Sequence, residues 1–169
     1  MTFVTAKFDL VDHDGRPVTE ASYRGRWLLV YFGFTHCRVV CPRSLTRLSN
    51  VLGALAPDLA HVIQPLYVTV DPKRDTPEVM RDYLTARYPL FVGLTGTEDQ
   101  VAAAKDAFKV FSRPKPDPEN PANYDVPHTA ITYLIDPAGA YATHWPETSS
   151  AGDVVSDLQA RLMITASQS

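Results

Sequence analysis

From Trp27 to Phe34 the chain reads Trp-Leu-Leu-Val-Tyr-Phe-Gly-Phe, an unbroken apolar run of strand length. A strand that shows no alternation is one covered on both faces, so this segment predicts the centre of a sheet. Pro65-Leu-Tyr-Val-Thr-Val70 repeats the pattern, and Phe91-Val-Gly-Leu is a shorter third strand. Thr129-Ala-Ile-Thr-Tyr-Leu-Ile-Asp136 is a fourth, and Pro137-Ala-Gly139 turns it into an antiparallel partner, Tyr141-Ala-Thr-His144. Near the start, Phe8 to Val18 alternates around Asp14-Gly15 and predicts a small hairpin.

Between these strands the period changes to that of a helix. Pro42 suits a first turn, after which Leu45, Leu48, Leu52 and Leu55 recur at helical spacing until Pro57. Asp75 with Glu78 resembles a capping box for a helix running to about Tyr88, and Thr97 with Gln100 caps another whose Val101, Phe108 and Phe111 share a face. Val154, Val155, Leu158 and Leu162 mark a closing helix. Arg113 to Pro127 holds Pro114, Pro116, Pro118, Pro121 and Pro127 with almost no aliphatic residue, which predicts a long irregular loop. The order argues for an α/β protein: a central mixed β-sheet flanked by helices, with an N-terminal β-hairpin, one domain over residues 1–169. It fits a thioredoxin-like fold.

A chain of 169 residues is long enough to bury a core without a covalent staple. That matters because its two cysteines stand four positions apart, in Phe-Gly-Phe-Thr-His-Cys37-Arg-Val-Val-Cys41-Pro. Closing so short a loop stabilises by only roughly 2 kcal/mol in the chain-entropy model, so a structural disulfide explains the pair poorly. The net charge of −3 offers nothing basic to nucleic acid. No stretch approaches the apolar length of a membrane span, and the first residues lack signal-peptide character. Either a cytosolic chain or one whose targeting segment is missing is consistent with this.

The cysteine pair falls where the first buried strand becomes a helix, at the positive end of a helix dipole that favours thiolate. Positions i and i+4 on a helix lie about 6 Å apart, within reach of a disulfide or of one metal ion. Two thiolates select soft ions such as Cu(I) or Zn(II), but a third ligand is required. His128 is the candidate, standing where the proline-rich loop enters a buried strand; a surface or core histidine is the plain alternative. His36 is a modulator of Cys37. Asp71 ends the second buried strand, where it accepts a hydrogen bond from an imidazole, sets the charge of the site, or merely shapes the Asp-Pro turn. His13, His61 and His144 have no such context and are expected in solvent. No hydrolytic or phosphate-binding motif is present.

Phe32-Gly-Phe-Thr-His-Cys37-x-x-x-Cys41-Pro42, Val70-Asp71-Pro-x-Arg74-Asp75-Thr76-Pro77 and His128-Thr-Ala-x-x-Tyr133-Leu-x-Asp136-Pro-x-Gly139 together resemble, in order and over nearly the whole length, the Sco/SenC family of copper-binding thioredoxin-fold proteins. The resemblance implies that Cys37, Cys41 and His128 coordinate a copper ion, with Asp71 beside them. It implies a metallochaperone that serves the copper centre of cytochrome c oxidase, with subunit II or another copper acceptor as partner. Because the pair must be reduced before it binds copper, a thioredoxin-like reductant is a further expected partner. The resemblance also implies a periplasmic or membrane-associated location. The family usually has proline and an acidic residue after the first cysteine, where this chain has Arg38 and Val39, and aspartate before the histidine, where it has Pro127. Two thiolates, a neutral imidazole and Cu(I) sum to −1, a charge that Arg38 offsets. The alternative is a thiol–disulfide oxidoreductase in which Cys37 attacks and Cys41 resolves. Dedicated reductases of this fold generally use Cys-x-x-Cys, whereas the three-residue spacer here suits a wider chelate.

Overall fold

The computed structural model describes residues 4–37, 40–119, 124–128 and 130–167. Arg38, Val39, Pro121 and Thr129 lie outside these. The apolar run forms strand β3 (Trp27–Gly33), every residue of which is buried. Its neighbours follow from the other runs: β4 (Ile63–Thr69) pairs with it in parallel, β5 (Val92–Thr95) pairs in parallel with the far side of β4, and β8 (Ile131–Ile135) lies antiparallel on its other side. The hairpin strands β1 (Asp9–Asp12) and β2 (Pro17–Thr19) join the edge through β5, and β9 (Tyr141–Pro146) closes the opposite edge. The sheet order is β2-β1-β5-β4-β3-β8-β9.

Successive residues of β3 serve two cores, because side chains alternate across a sheet. Leu29 and Tyr31 face the helices α1 (Val40–Ala54), α3 (Pro77–Arg87) and α5 (Ala151–Ser167), meeting Leu45, Leu48, Met80, Leu84, Leu158 and Leu162. Leu28, Val30 and Phe32 face α4 (Glu98–Phe108), meeting Val101, Ala104 and Phe108. Both faces of the central strand are therefore covered, as its lack of alternation requires. A five-residue helix α2 (Pro57–His61) fills the turn into β4, with Pro57 starting it as well as stopping α1.

Three sequence expectations change. Thr76, not Asp75, caps α3, its hydroxyl accepting from the Val79 N–H. Asp75 is fully buried instead. Phe111 does not continue the apolar face of α4: the helix ends at Phe108, Lys109 takes a left-handed conformation with φ of 59°, and Phe111 is 79% exposed. The proline-rich segment is not wholly irregular, since β6 (Lys115–Pro116) and β7 (Tyr124–Asp125) pair antiparallel. The predicted capping box at Thr97 and Gln100 is present in full.

Candidate metal centre

Three chain segments meet at the carboxyl ends of β3 and β4, the edge of an open α/β sheet where ligands gather. They are the turn after β3, the turn after β4 and the approach to β8. The first carries the thiols. Cys37 precedes α1 rather than lying in it, so the pair is not two positions on one helix face. Its N–H donates to the Phe34 carbonyl at 3.1 Å, closing a turn, and its sulfur accepts the Cys41 N–H at 3.4 Å. One orphan N–H of the helix start is thereby satisfied by a sulfur. Cys37 is half-buried and Cys41 fully buried, and no disulfide joins them.

The expected charge preference is reversed at the second position. The Cys41 thiol is pushed well above its usual range, first by its hydrogen bond with Cys37 and then by desolvation, against a smaller opposing pull from Tyr67. The helix end does not outweigh these two.

Packing at the thiols is set by Gly33. A Cβ there would fall 2.5 Å from Cys41 Sγ and 2.7 Å from the Tyr67 ring and hydroxyl. Glycine inside a buried strand marks such a close approach, and this was the sequence signal available. Gly33→Ala is expected to destabilise the fold by about 1–3 kcal/mol through overpacking. A lowered denaturant midpoint at unchanged slope is the measurement that shows it.

The turn bearing Cys37 is pinned by Asp75. Its carboxylate accepts from the Thr35 N–H at 3.0 Å, the Thr35 hydroxyl at 2.5 Å and the Thr69 hydroxyl at 2.7 Å, while its carbonyl takes the Thr95 hydroxyl at 2.6 Å. One buried side chain thus ties the Cys37 turn to β4 and β5. Burial raises the Asp75 pKa above the ordinary carboxylate value, with the threonine hydrogen bonds opposing. A raised folded-state pKa means that the folded chain holds the proton more tightly than the unfolded one. Its contribution to stability is complete below the unfolded pKa and is lost as pH rises through the folded one. Asp75→Asn is expected to remove that slope from a plot of unfolding free energy against pH.

Asp71 is also buried, but no imidazole reaches it. It accepts the Tyr124 hydroxyl at 2.7 Å and pairs with Arg74. The Arg74 guanidinium lies 3.7 Å over the Tyr124 ring and donates to the Tyr124 carbonyl at 2.8 Å. This clasp fixes β7, four residues before His128. A cavity of about 320 Å³ beside it is lined by Asp71, Lys73, Glu98, Pro116 and Tyr124, with no thiol or imidazole in its wall.

His128 is half-buried, its ring edge-on to Phe34 at 5.9 Å and to Tyr31 at 6.5 Å. Nδ1 lies 3.0 Å from the Val126 carbonyl, which only accepts, so Nδ1 carries the proton and Nε2 presents its lone pair. Nε2 is buried and has no hydrogen-bond partner among the described residues. A carbonyl on one ring nitrogen is how metal-ligating histidines are usually oriented. The approach is tied further by the Arg113 N–H to the Pro127 carbonyl at 3.2 Å and a bridge between Ser112 and His128. For His128 to swing away, these contacts must break.

Among the described residues, no three His, Cys, Asp or Glu side chains converge closely enough to hold a metal ion. The structure brings Cys37 to Cys41 and seats His128 against Phe34, the residue whose carbonyl anchors Cys37. His36 is exposed, its Nδ1 3.3 Å from the Thr35 hydroxyl. His61 and His144 are exposed as expected, but His13 is half-buried and accepts the Gly93 N–H at 3.0 Å.

The topology, with a thiol pair in the turn and first residues of the helix after the central strand, is that of a thioredoxin-like protein. The SCO1/SenC family model matches residues 1–163, and the chain belongs to that family. An SCO2-like protein of Rickettsia prowazekii is 39% identical over 148 residues, covering 88% of this chain and 72% of the relative. The human mitochondrial SCO1 homolog is 37% identical over 156 residues, 89% of this chain and 50% of its own length. The structure of Bradyrhizobium japonicum ScoI with copper bound superposes with a TM-score of 0.81 at 34% identity, covering 91% of this chain and 96% of that one.

Proposed function

We propose that this protein is a copper metallochaperone. Cys37 and Cys41, once reduced, take copper as cargo together with His128, and pass it to an acceptor. The observation that carries this reading is the His128 ring: Nδ1 is committed to a backbone carbonyl while Nε2 is left buried and unpartnered. A buried lone pair with no donor is costly, and a soft cation held by the two sulfurs is the chemistry that would satisfy it. Family membership and the copper-bound relative support the choice of copper. Copper supplies no reaction here. The chain's own residues hold, orient and release it, with Asp75 fixing the turn that carries Cys37 and the Asp71–Arg74–Tyr124 clasp fixing the approach of His128.

The acceptor most consistent with the family is the copper centre of cytochrome c oxidase in subunit II, and the location a periplasmic or membrane-associated one. No helix among the described residues is long and apolar enough to cross a membrane. The one seven-stranded sheet with helices on both faces is read as a single functional unit.

In the test, reduced protein competes with a chelator for Cu(I), before and after oxidation of the thiols. Stoichiometric copper on the reduced form, lost in Cys37→Ser and in the disulfide form, is expected. Equal binding by oxidised and reduced protein contradicts the proposal. A second reading, a thiol–disulfide oxidoreductase, is favoured by one observation: the more accessible Cys37 stands over a fully buried Cys41, the usual arrangement of attacking and resolving thiols. Reductase turnover at the parent rate in a His128→Ala variant that has lost copper would favour it.

A further inference from the structure

Tyr67 lies on β4 opposite Tyr31 of β3 and has no exposed surface. Its ring stacks 6.3 Å from Tyr31 and 6.3 Å from Tyr83, so phenylalanine would pack equally well. Yet a hydroxyl is carried here, and among the described residues it has no hydrogen-bond partner of regular geometry. Retaining a buried O–H without an acceptor opposes folding. The atom that shares its space is a sulfur: Cys41 Sγ and the Tyr67 hydroxyl both lie within 2.7 Å of the point where a Cβ on Gly33 would stand. Cys41 is itself fully buried, so no bulk water can solvate its sulfur when it becomes anionic. An internal donor must do so.

We infer that Tyr67 is a positioning residue that donates its O–H to the Cys41 sulfur whenever that sulfur carries charge, both in the copper-bound pair and as the leaving thiolate of disulfide reduction. The copper half of this inference rests on the proposed function; the disulfide half does not. In the reduction, an incoming small-molecule thiolate attacks Cys37 Sγ and forms a mixed disulfide there. The Cys37–Cys41 bond breaks, and its electron pair leaves on Cys41 Sγ, where the Tyr67 O–H meets it without giving up its proton. In the copper complex the same hydrogen bond withdraws electron density from sulfur, so it raises the energy of sulfur-to-Cu(II) charge transfer.

Tyr67→Phe tests this beside Tyr83→Phe, which deletes a second buried hydroxyl of the same stack. Two readouts serve: the rate at which dithiothreitol reduces the oxidised pair, and the energy of the sulfur-to-Cu(II) band. In Tyr67→Phe, reduction is expected to slow about tenfold, the loss of one hydrogen bond to a charged acceptor. The band should move to lower energy, the melting temperature should not fall, and Tyr83→Phe should resemble the parent. Parent-like reduction in Tyr67→Phe, or equal effects of both substitutions, overturns the inference. If the parent itself takes no copper, the proposed function fails while the reduction rates still decide the role of Tyr67.

Discussion

His128→Ala is expected to weaken Cu(I) binding by the reduced protein about a hundredfold or more, since even groups that only orient a metal ligand are each worth about 10–100-fold in affinity. The fold should survive. The ring is half-buried at the rim of the sheet and contributes edge-on contacts to Phe34 and Tyr31 rather than core packing. Competition against a chelator of known affinity gives the number, and unchanged thermal unfolding shows that the loss is local. Equal affinity in variant and parent would remove His128 from the ligand set and leave the orphaned Nε2 without a role.

Asp75→Ala should have the largest effect on stability, lowering it by roughly 3 kcal/mol, a large part of the 5–15 kcal/mol that holds a typical domain. Alanine leaves the Thr35 N–H, the Thr35 hydroxyl and the Thr69 hydroxyl without their acceptor. The Cys37 turn then loses its tie to β4, so copper affinity should fall as well, although every proposed ligand is still present. Urea unfolding of the metal-free protein measures the first effect and chelator competition the second. A stable Asp75→Ala protein with parental copper affinity would show that the turn is held by its own backbone bonds.

The fold was readable because its central strand is buried on both faces, and an uninterrupted apolar run of strand length between turn residues is what such burial demands. Helix boundaries were readable where capping chemistry was complete, as at Thr97 and Gln100. They were misread where two adjacent residues offered similar chemistry: Asp75 and Thr76 both cap helices well, and only the tertiary demand of the Cys37 turn assigns the aspartate inward. Phe111 kept helical spacing past the helix end, because a left-handed Lys109 carries no sequence mark. At the site, the thiols and His128 were legible as residue types at telling positions. The geometry around them was not. The clasp of Arg74 on Tyr124 joins residues 50 apart in the chain, and the approach of Tyr67 to Cys41 over Gly33 depends on strand register. Gly33 was the visible clue, a glycine in a strand with no turn to explain it.

X-ray absorption at the copper edge of the loaded, reduced protein tests the central claim most directly, because it counts the atoms that hold the ion. Two sulfur scatterers and one imidazole are predicted, with the imidazole signal absent in His128→Ala. A sulfur-only shell in the parent, or an imidazole contribution that persists in that variant, would contradict the account.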